Sequence, residues 1–528
     1  MKSLLKLSII FPLIALTACG GSGSETVTPT SPTNVSLSGK LTYDHVQHTI
    51  NSGLDYNNIV QSNIRGARVE LLNFSATSIL DVTTSDANGN YSFSVPTSTN
   101  YVVRVKAELK KLGDVPTWNF AVVDNTNDEA LYAMDSAIVE VRQIARNVDI
   151  NAPSGWTGAA YTNSRVAAPF AILDSVYEAK EKVVSVDNTV IMPPLNLNWS
   201  VNNIAVSGDL TAGQITTSHF NGTDIFILGD ENSDTDEYDG HVIVHEWGHY
   251  FERRLSRSDS VGGSHNTGDR LDMRVALGEG WGNALSGIVT DDPFYRDSFG
   301  NSQSIGFQID VESGVSSSVG WYSESSVSLL IYDFYDANND GADTLSLGFA
   351  PLYNMMTNGQ KDTQALTSIF SFVNQLKIVS PSSVATIDAM LAVQNIVVND
   401  DFGTGETNSG GDARNLPIYP TLPIEGSVEV CSYAINGLQN KLGNRKFLVL
   451  DIVNTGSYQV TAVGQAVGDD PDLLLFSQGN FIFRSDVVGN ESITRNINAG
   501  QYVMEVYDFG NTQSNPRDTC IDVSLSAN

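Results

Sequence analysis

Histidine and cysteine are both scarce in this chain, at 7 and 3 of 528 residues. Three cysteines exclude a small fold held by a dense disulfide framework. With 41% hydrophobic residues over this length, the chain supports several domains with cores of their own. Basic residues are also few: 29 Lys and Arg stand against 60 Asp and Glu, a formal charge of −31. That balance excludes nucleic acid and anionic lipid surfaces as electrostatic partners. The N-terminal apolar run, residues 7–16, is too short to remain as a membrane-spanning helix.

That run follows Lys2 and Lys6 and reads as a signal peptide over residues 1–18. Leu16-Thr17-Ala18-Cys19 resembles the bacterial lipobox. The resemblance implies a lipid-bearing N-terminus at Cys19, and Gly20 in the next position implies the outer membrane of a Gram-negative cell. The alternative is an ordinary signal peptide with Cys19 unmodified. Residues 19–33, rich in Gly, Ser, Thr and Pro, read as a flexible tether.

Residues 34–155 alternate apolar and polar side chains, as in Val35–Leu41, Ala67–Leu71 and Tyr91–Val95, and predict β-strands. Asp86-Ala87-Asn88-Gly89-Asn90 predicts a turn between two of them. The order of these motifs is similar to the carboxypeptidase-regulatory-like β-sandwich, which implies an accessory module.

The central block, residues 156–425, carries the chemistry. His245-Glu246-Trp247-Gly248-His249 lies in an apolar, proline-free stretch that predicts a helix, weakened at Gly248. One helical turn separates the two histidines, so both imidazoles can ligate one Zn²⁺ while Glu246 reaches the attacking water. Thirty residues on, Ala276-Leu277-Gly278-Glu279-Gly280-Trp281-Gly282-Asn283 offers Glu279 as a third ligand. Three glycines around Glu279 cost helix stability, about 1 kcal/mol each relative to Ala. Close approach of this backbone to the His245 helix would offset that cost. His241 and His245 have the same spacing as His245 and His249, but only the latter pair brackets Glu246. Carboxylates from Asp230 to Asp239 precede the helix. They read as a charged helix start or as a calcium site built from Asp234, Asp236 and Asp239.

His-Glu-x-x-His followed by Gly-Glu-Gly-Trp resembles the gluzincin metallopeptidases, and the fungalysin family in particular, over residues 239–290. The resemblance implies His245, His249 and Glu279 as zinc ligands and Glu246 as general base. It also implies a polypeptide substrate and a thermolysin-like α+β domain. Asn283 stands where that family usually has Asp, a position that accepts the ring N–H of a zinc-bound histidine. No histidine follows His265, so the family's transition-state histidine has no counterpart downstream. Tyr322, ahead of an amphipathic stretch over 323–335, is the candidate to replace it, since a phenol can donate to an oxyanion.

Asp336, Asn338, Asp340 and Asp343 alternate as in the start of a calcium loop, with no acidic residue at the twelfth position; an Asx-rich turn is the other reading. Two further helices are expected near 364–376 and 383–394, and a linker over 400–423. Residues 426–528 return to β. Asp472-Leu473 and Ala499-Gly500-Gln501-Tyr502 resemble the pre-peptidase C-terminal β-sandwich. Cys431 and Cys520 would join its first and last strands as a disulfide.

The sequence therefore predicts a multidomain protein: an N-terminal β-sandwich, a central α+β thermolysin-like domain and a C-terminal β-sandwich. The expected activity is zinc-dependent endopeptidase action by a lipid-anchored monomer. The alternative is a surface-exposed binding lipoprotein with an inactive peptidase core.

Overall fold

The computed structural model describes residues 34–314, 318–338, 343–513 and 515–528. Cys19 and the signal and tether segments lie outside the described residues, as does Asp340.

Strand Asn34–His45 pairs antiparallel with Asn90–Pro96, Leu37 opposite Phe93. The second strand alternates strictly between exposed and buried residues, as a sheet with one wet face requires. Between Ile79–Thr84 and Asn90–Pro96 the expected turn forms, with the Asp86 carboxylate accepting from the amides of Asn88 and Asn90 at 2.8 Å each.

A ten-stranded sheet runs through both the N-terminal and the central block. Along its main path lie His219–Phe220, Ile225–Ile227, Leu195–Trp199, Trp118–Asp124, Thr99–Lys111, Ala67–Asn73 and Ile79–Thr84. Trp118–Asp124 and Leu195–Trp199 run parallel, Phe120 beside Leu195. Helix α1, Ala168–Val184, contributes Phe170, Ile172, Leu173 and Val176 to a core that is continuous on both sides of residue 155. Sheet and core therefore join two blocks that differ in composition.

Three helices form the heart of the central α+β region: α2 (Gly240–Arg254), α3 (Met273–Thr290) and α4 (Glu324–Tyr335). The apolar periodicity of 323–335 is realised as α4, with Ser323 capping its N-terminus. Helix α3 is buried on every side from Met273 to Ile288, which accounts for its weak amphipathicity. Helices Ile369–Val379 and Val384–Val393 follow near the expected positions. Among the described residues no single helix is long and apolar enough to cross a membrane.

The C-terminal part is a β-sandwich of two four-stranded sheets around its own core, which includes Leu448, Val460, Leu475, Met504 and Val523. Gly426–Tyr433 pairs with Asp518–Ala527, and Cys431 lies opposite Cys520 in that register. The two form the expected disulfide. A buried ion pair ties this sandwich to α3: Arg274 Nη1 lies 2.9 Å from Glu505 Oε2.

Candidate metal centre

Helices α2 and α3 meet through glycine. A Cβ on Gly248 would stand 3.1 Å from Gly282 Cα, and one on Gly282 would stand 2.8 Å from both Cε1 and Nδ1 of His245. A Cβ on Gly280 would stand 2.5 Å from Val327 Cγ1 of α4. Gly282 thus permits the close approach to α2 expected of these glycines, whereas Gly280 permits a close approach to α4, and packing offsets their propensity cost.

This approach brings His245, His249 and Glu279 to one point, their ligand atoms all within 4.8 Å of one another. Glu279 Oε2 lies 3.2 Å from His245 Nε2 and 3.4 Å from His249 Nε2. Donors about 2.1 Å from a tetrahedral ion stand about 3.4 Å apart, and both contacts to Glu279 fall near that spacing, so the group could hold a metal ion. Asn283, one turn beyond Glu279, places Oδ1 2.9 Å from His245 Nδ1. An amide oxygen only accepts, so Asn283 holds a proton on His245 Nδ1, the arrangement that would leave Nε2 to a metal bound at the ligand point.

Burial pushes the Glu279 carboxyl up, but the charge of His249 and hydrogen bonds from His245 and His249 outweigh it and hold the group well below the usual range. Burial pushes His249 down, and Glu279, Glu246 and Glu252 together overcome that and raise it to about 10. Without metal, His249 therefore keeps a proton that metal binding must release. Glu252, at 1% exposure, packs against Gly278; a Cβ there would meet Glu252 Oε2 at 3.2 Å and His249 Cε1 at 3.9 Å. Desolvation raises this carboxyl to about 8.

Glu246 Oε2 accepts the backbone N–H of Phe220 at 2.7 Å. Phe220 belongs to the terminal strand of the ten-stranded sheet, so the Glu246 carboxylate is anchored to a sheet edge. Tyr295 packs edge-on to His245, ring centroids 6.0 Å apart.

His241 is not part of this group. Its Nε2 faces Asp292 O at 3.2 Å and Thr290 Oγ1 at 3.1 Å, and burial lowers it to about 4. The choice between the two histidine pairs thus falls to His245 and His249. Tyr322 is engaged elsewhere: its hydroxyl lies 3.1 Å from Val319 O and 3.2 Å from Asn408 Oδ1.

In its place a third histidine faces the ligand point. His265 Nε2 lies 3.3 Å from Glu279 Oε2 and 3.3 Å from Oε2 of Glu324, the first residue of α4. The sequence concealed it because His265 precedes Glu279 in the chain, whereas the motif order directs attention downstream. The only signal was the rarity of histidine. Asp336 is buried, and Asp343 Oδ1 accepts from Leu345 N at 2.9 Å. Residues 339–342 between them lie outside the described residues, so no calcium loop is described there.

No family model matches the chain, and no curated protein matches it. Among the partial likenesses to solved structures, three cover about a fifth of this chain each. The pre-peptidase C-terminal domain of a collagenase from Bacillus anthracis is 11% identical, with 20% of this chain and 93% of that one covered and a TM-score of 0.17. The surface-associated copper-binding protein CorA of Methylomicrobium album is 9% identical, with 21% and 98% covered and a TM-score of 0.17. The periplasmic lysozyme inhibitor PliG of Aeromonas hydrophila is 13% identical, with 20% and 96% covered and a TM-score of 0.15.

Proposed function

We propose that this chain is a zinc metallopeptidase of gluzincin type. The observation that carries the reading is the convergence of the ligand atoms of His245, His249 and Glu279 within 4.8 Å of one another, with Glu246 on the helix of the two histidines. A zinc ion held there would polarise a carbonyl oxygen and lower the pKa of its water to about 7. Glu246 takes a proton from the attacking water and returns it to the departing amine. His265, backed by Glu324, donates to the carbonyl oxygen as charge develops on it. Asn283 holds the tautomer of His245. The substrate in this reading is a polypeptide cleaved internally.

In the same reading the N-terminal sheets and the C-terminal β-sandwich are accessory modules of carboxypeptidase-regulatory and pre-peptidase C-terminal type. The monomer would be anchored through a lipid on Cys19 in the outer membrane, an assignment tested by loss of palmitate labelling in Cys19→Ala.

The functional test is zinc analysis together with a peptide-library digest. Parent protein should hold one zinc and cleave. Glu246→Gln should hold zinc and lose cleavage, His249→Ala should lose both, and His265→Ala should keep zinc and cleave more slowly. Full cleavage by Glu246→Gln would refute the mechanism. Zinc binding without cleavage of any peptide by the parent would favour the binding-lipoprotein alternative.

A further inference from the structure

Away from the histidines, a second group of ligand atoms converges at the N-terminal end of α2. Carboxylate oxygens of Asp234, Asp236 and Asp297 lie within 4.8 Å of one another. The first two sit on and beside strand Asp234–Thr235, the third on strand Phe294–Phe299, and these two strands pair. Asp239, the third member expected from the sequence, is not among them. Its carboxylate accepts from Ser298 N at 3.0 Å, from Ser298 Oγ and from His48 Nε2 at 2.6 Å, so its acceptor needs are met.

Two of the three converging carboxylates, Asp234 and Asp236, each keep a buried oxygen without such a donor. Asp236 is only 3% exposed. The Ser218 hydroxyl holds its Oδ2, which leaves Oδ1 buried with no hydrogen-bond partner, and Asp234 Oδ1 is buried in the same state. The charges that act on Asp236 are all carboxylates: Asp234, Asp297 and Asp239. Burial is the largest influence on each of the three; a hydrogen bond shared with Asp236 partly offsets it at Asp234, and the charges of neighbouring carboxylates add to it. Asp234 is pushed up to about 6, Asp297 to about 8 and Asp236 well above the usual range. A buried group of this kind needs either protons or a cation to offset its charge.

We propose that Asp234, Asp236 and Asp297 bind a hard divalent cation of the calcium class, fastening the hairpin at 229–235 to strand Phe294–Phe299 beside the start of the metal-ligating helix. An all-oxygen donor set suits calcium or magnesium rather than zinc. Oxygens about 2.3–2.6 Å from a calcium ion stand at most about 5 Å apart, which the observed spacing satisfies. The choice between the two ions rests on the absence of a compact octahedral cage: three carboxylates from two strands favour the larger, more flexible coordination of calcium.

The test uses full-length protein with its zinc retained, passed over a chelating resin and checked for zinc before and after. Thermal unfolding is then followed without added metal, with about 5 mM CaCl₂, above the weak end of the extracellular calcium range, and with MgCl₂ at the same concentration. The parent should take up one calcium per chain by elemental analysis and gain about 5 °C or more in Tm, with a smaller gain from magnesium. Asp297→Asn and Asp234→Asn should lose most of that gain. In calcium-free buffer both should be at least as stable as the parent, because each substitution removes an uncompensated charge; a purely structural aspartate would destabilise in both buffers. No calcium uptake by the zinc-loaded parent overturns the proposal and leaves shared protons as the explanation. Retention of the full calcium-dependent gain by both variants would also overturn it, by placing the ion elsewhere. If one variant fails to fold, the other and the parent stoichiometry still decide. Peptide cleavage is scored separately, so failure here is distinct from failure of the zinc-peptidase reading.

Discussion

Gly282→Ala sets two physical effects against each other. Helix propensity alone predicts a gain of roughly 0.5–1 kcal/mol, since Ala replaces Gly in the interior of α3. The structure predicts the opposite outcome at the site. The new Cβ would stand 2.8 Å from Cε1 and Nδ1 of His245 and 3.0 Å from its Cγ. Carbon atoms rest about 3.5–4.0 Å apart, so the imidazole or the backbone must move by roughly 0.8 Å, beyond the roughly 0.5 Å within which a metal constellation must be held. Moving the ring also lengthens the 2.9 Å contact between His245 Nδ1 and Asn283 Oδ1. The overpacking should cost about 1–3 kcal/mol and outweigh the propensity gain. Zinc affinity should fall by about 10- to 100-fold or more, as when a supporting contact to a ligand is lost. Competition against a chromophoric chelator gives the affinity, and denaturant unfolding of the metal-free protein gives the stability. Unchanged zinc affinity together with a raised unfolding midpoint would show that the ring does not pack on this glycine and would refute the reasoning.

Three further outcomes are expected. Asn283→Ala should weaken zinc binding by about 10- to 100-fold, and Asn283→Asp should restore it at least to the parent level; identical affinities for all three proteins would remove Asn283 from the site. Burial raises the Glu505 carboxyl, but Arg274 and Arg445 outweigh it and hold the group at about 2. This depressed carboxyl contributes stability that is present above the ordinary value of 4.5 and is lost as pH falls toward about 2. Acid unfolding should show that loss, Glu505→Gln should lack it, and the variant should cost about 3–5 kcal/mol at neutral pH because it leaves buried arginine charge uncompensated. Reduction of Cys431–Cys520 opens a loop of 89 positions and should destabilise the C-terminal sandwich by about 2–4 kcal/mol while leaving peptide cleavage by the folded protein unchanged; free thiol in the unreduced protein would contradict the bond.

The sequence by itself determined those features whose physics is local. The spacing of His245 and His249 places two imidazoles on one helical face, and the four-residue step from Glu279 to Asn283 does the same on α3. Period-2 alternation located Asn90–Pro96, and the apolar stripe of 323–335 located α4. The disulfide was legible because two cysteines remain beyond the signal peptide. Tertiary structure alone decided the rest, because a local pattern states which face is buried but not what it meets. His265 lies on an irregular segment with no periodicity to aim it, and only the meeting of α3 and α4 brings Glu279 and Glu324 to either side of its Nε2. Tyr322 has a suitable chain position, yet Val319 and Asn408 claim its hydroxyl. Asp239 belongs to the acidic run, yet Ser298 and His48 satisfy it, and Asp297 arrives from a strand 58 residues later to stand with Asp234 and Asp236. The ten-stranded sheet crosses residue 155 because Phe120 and Leu195 pair across long sequence separation, and such pairing leaves no mark on either strand taken alone.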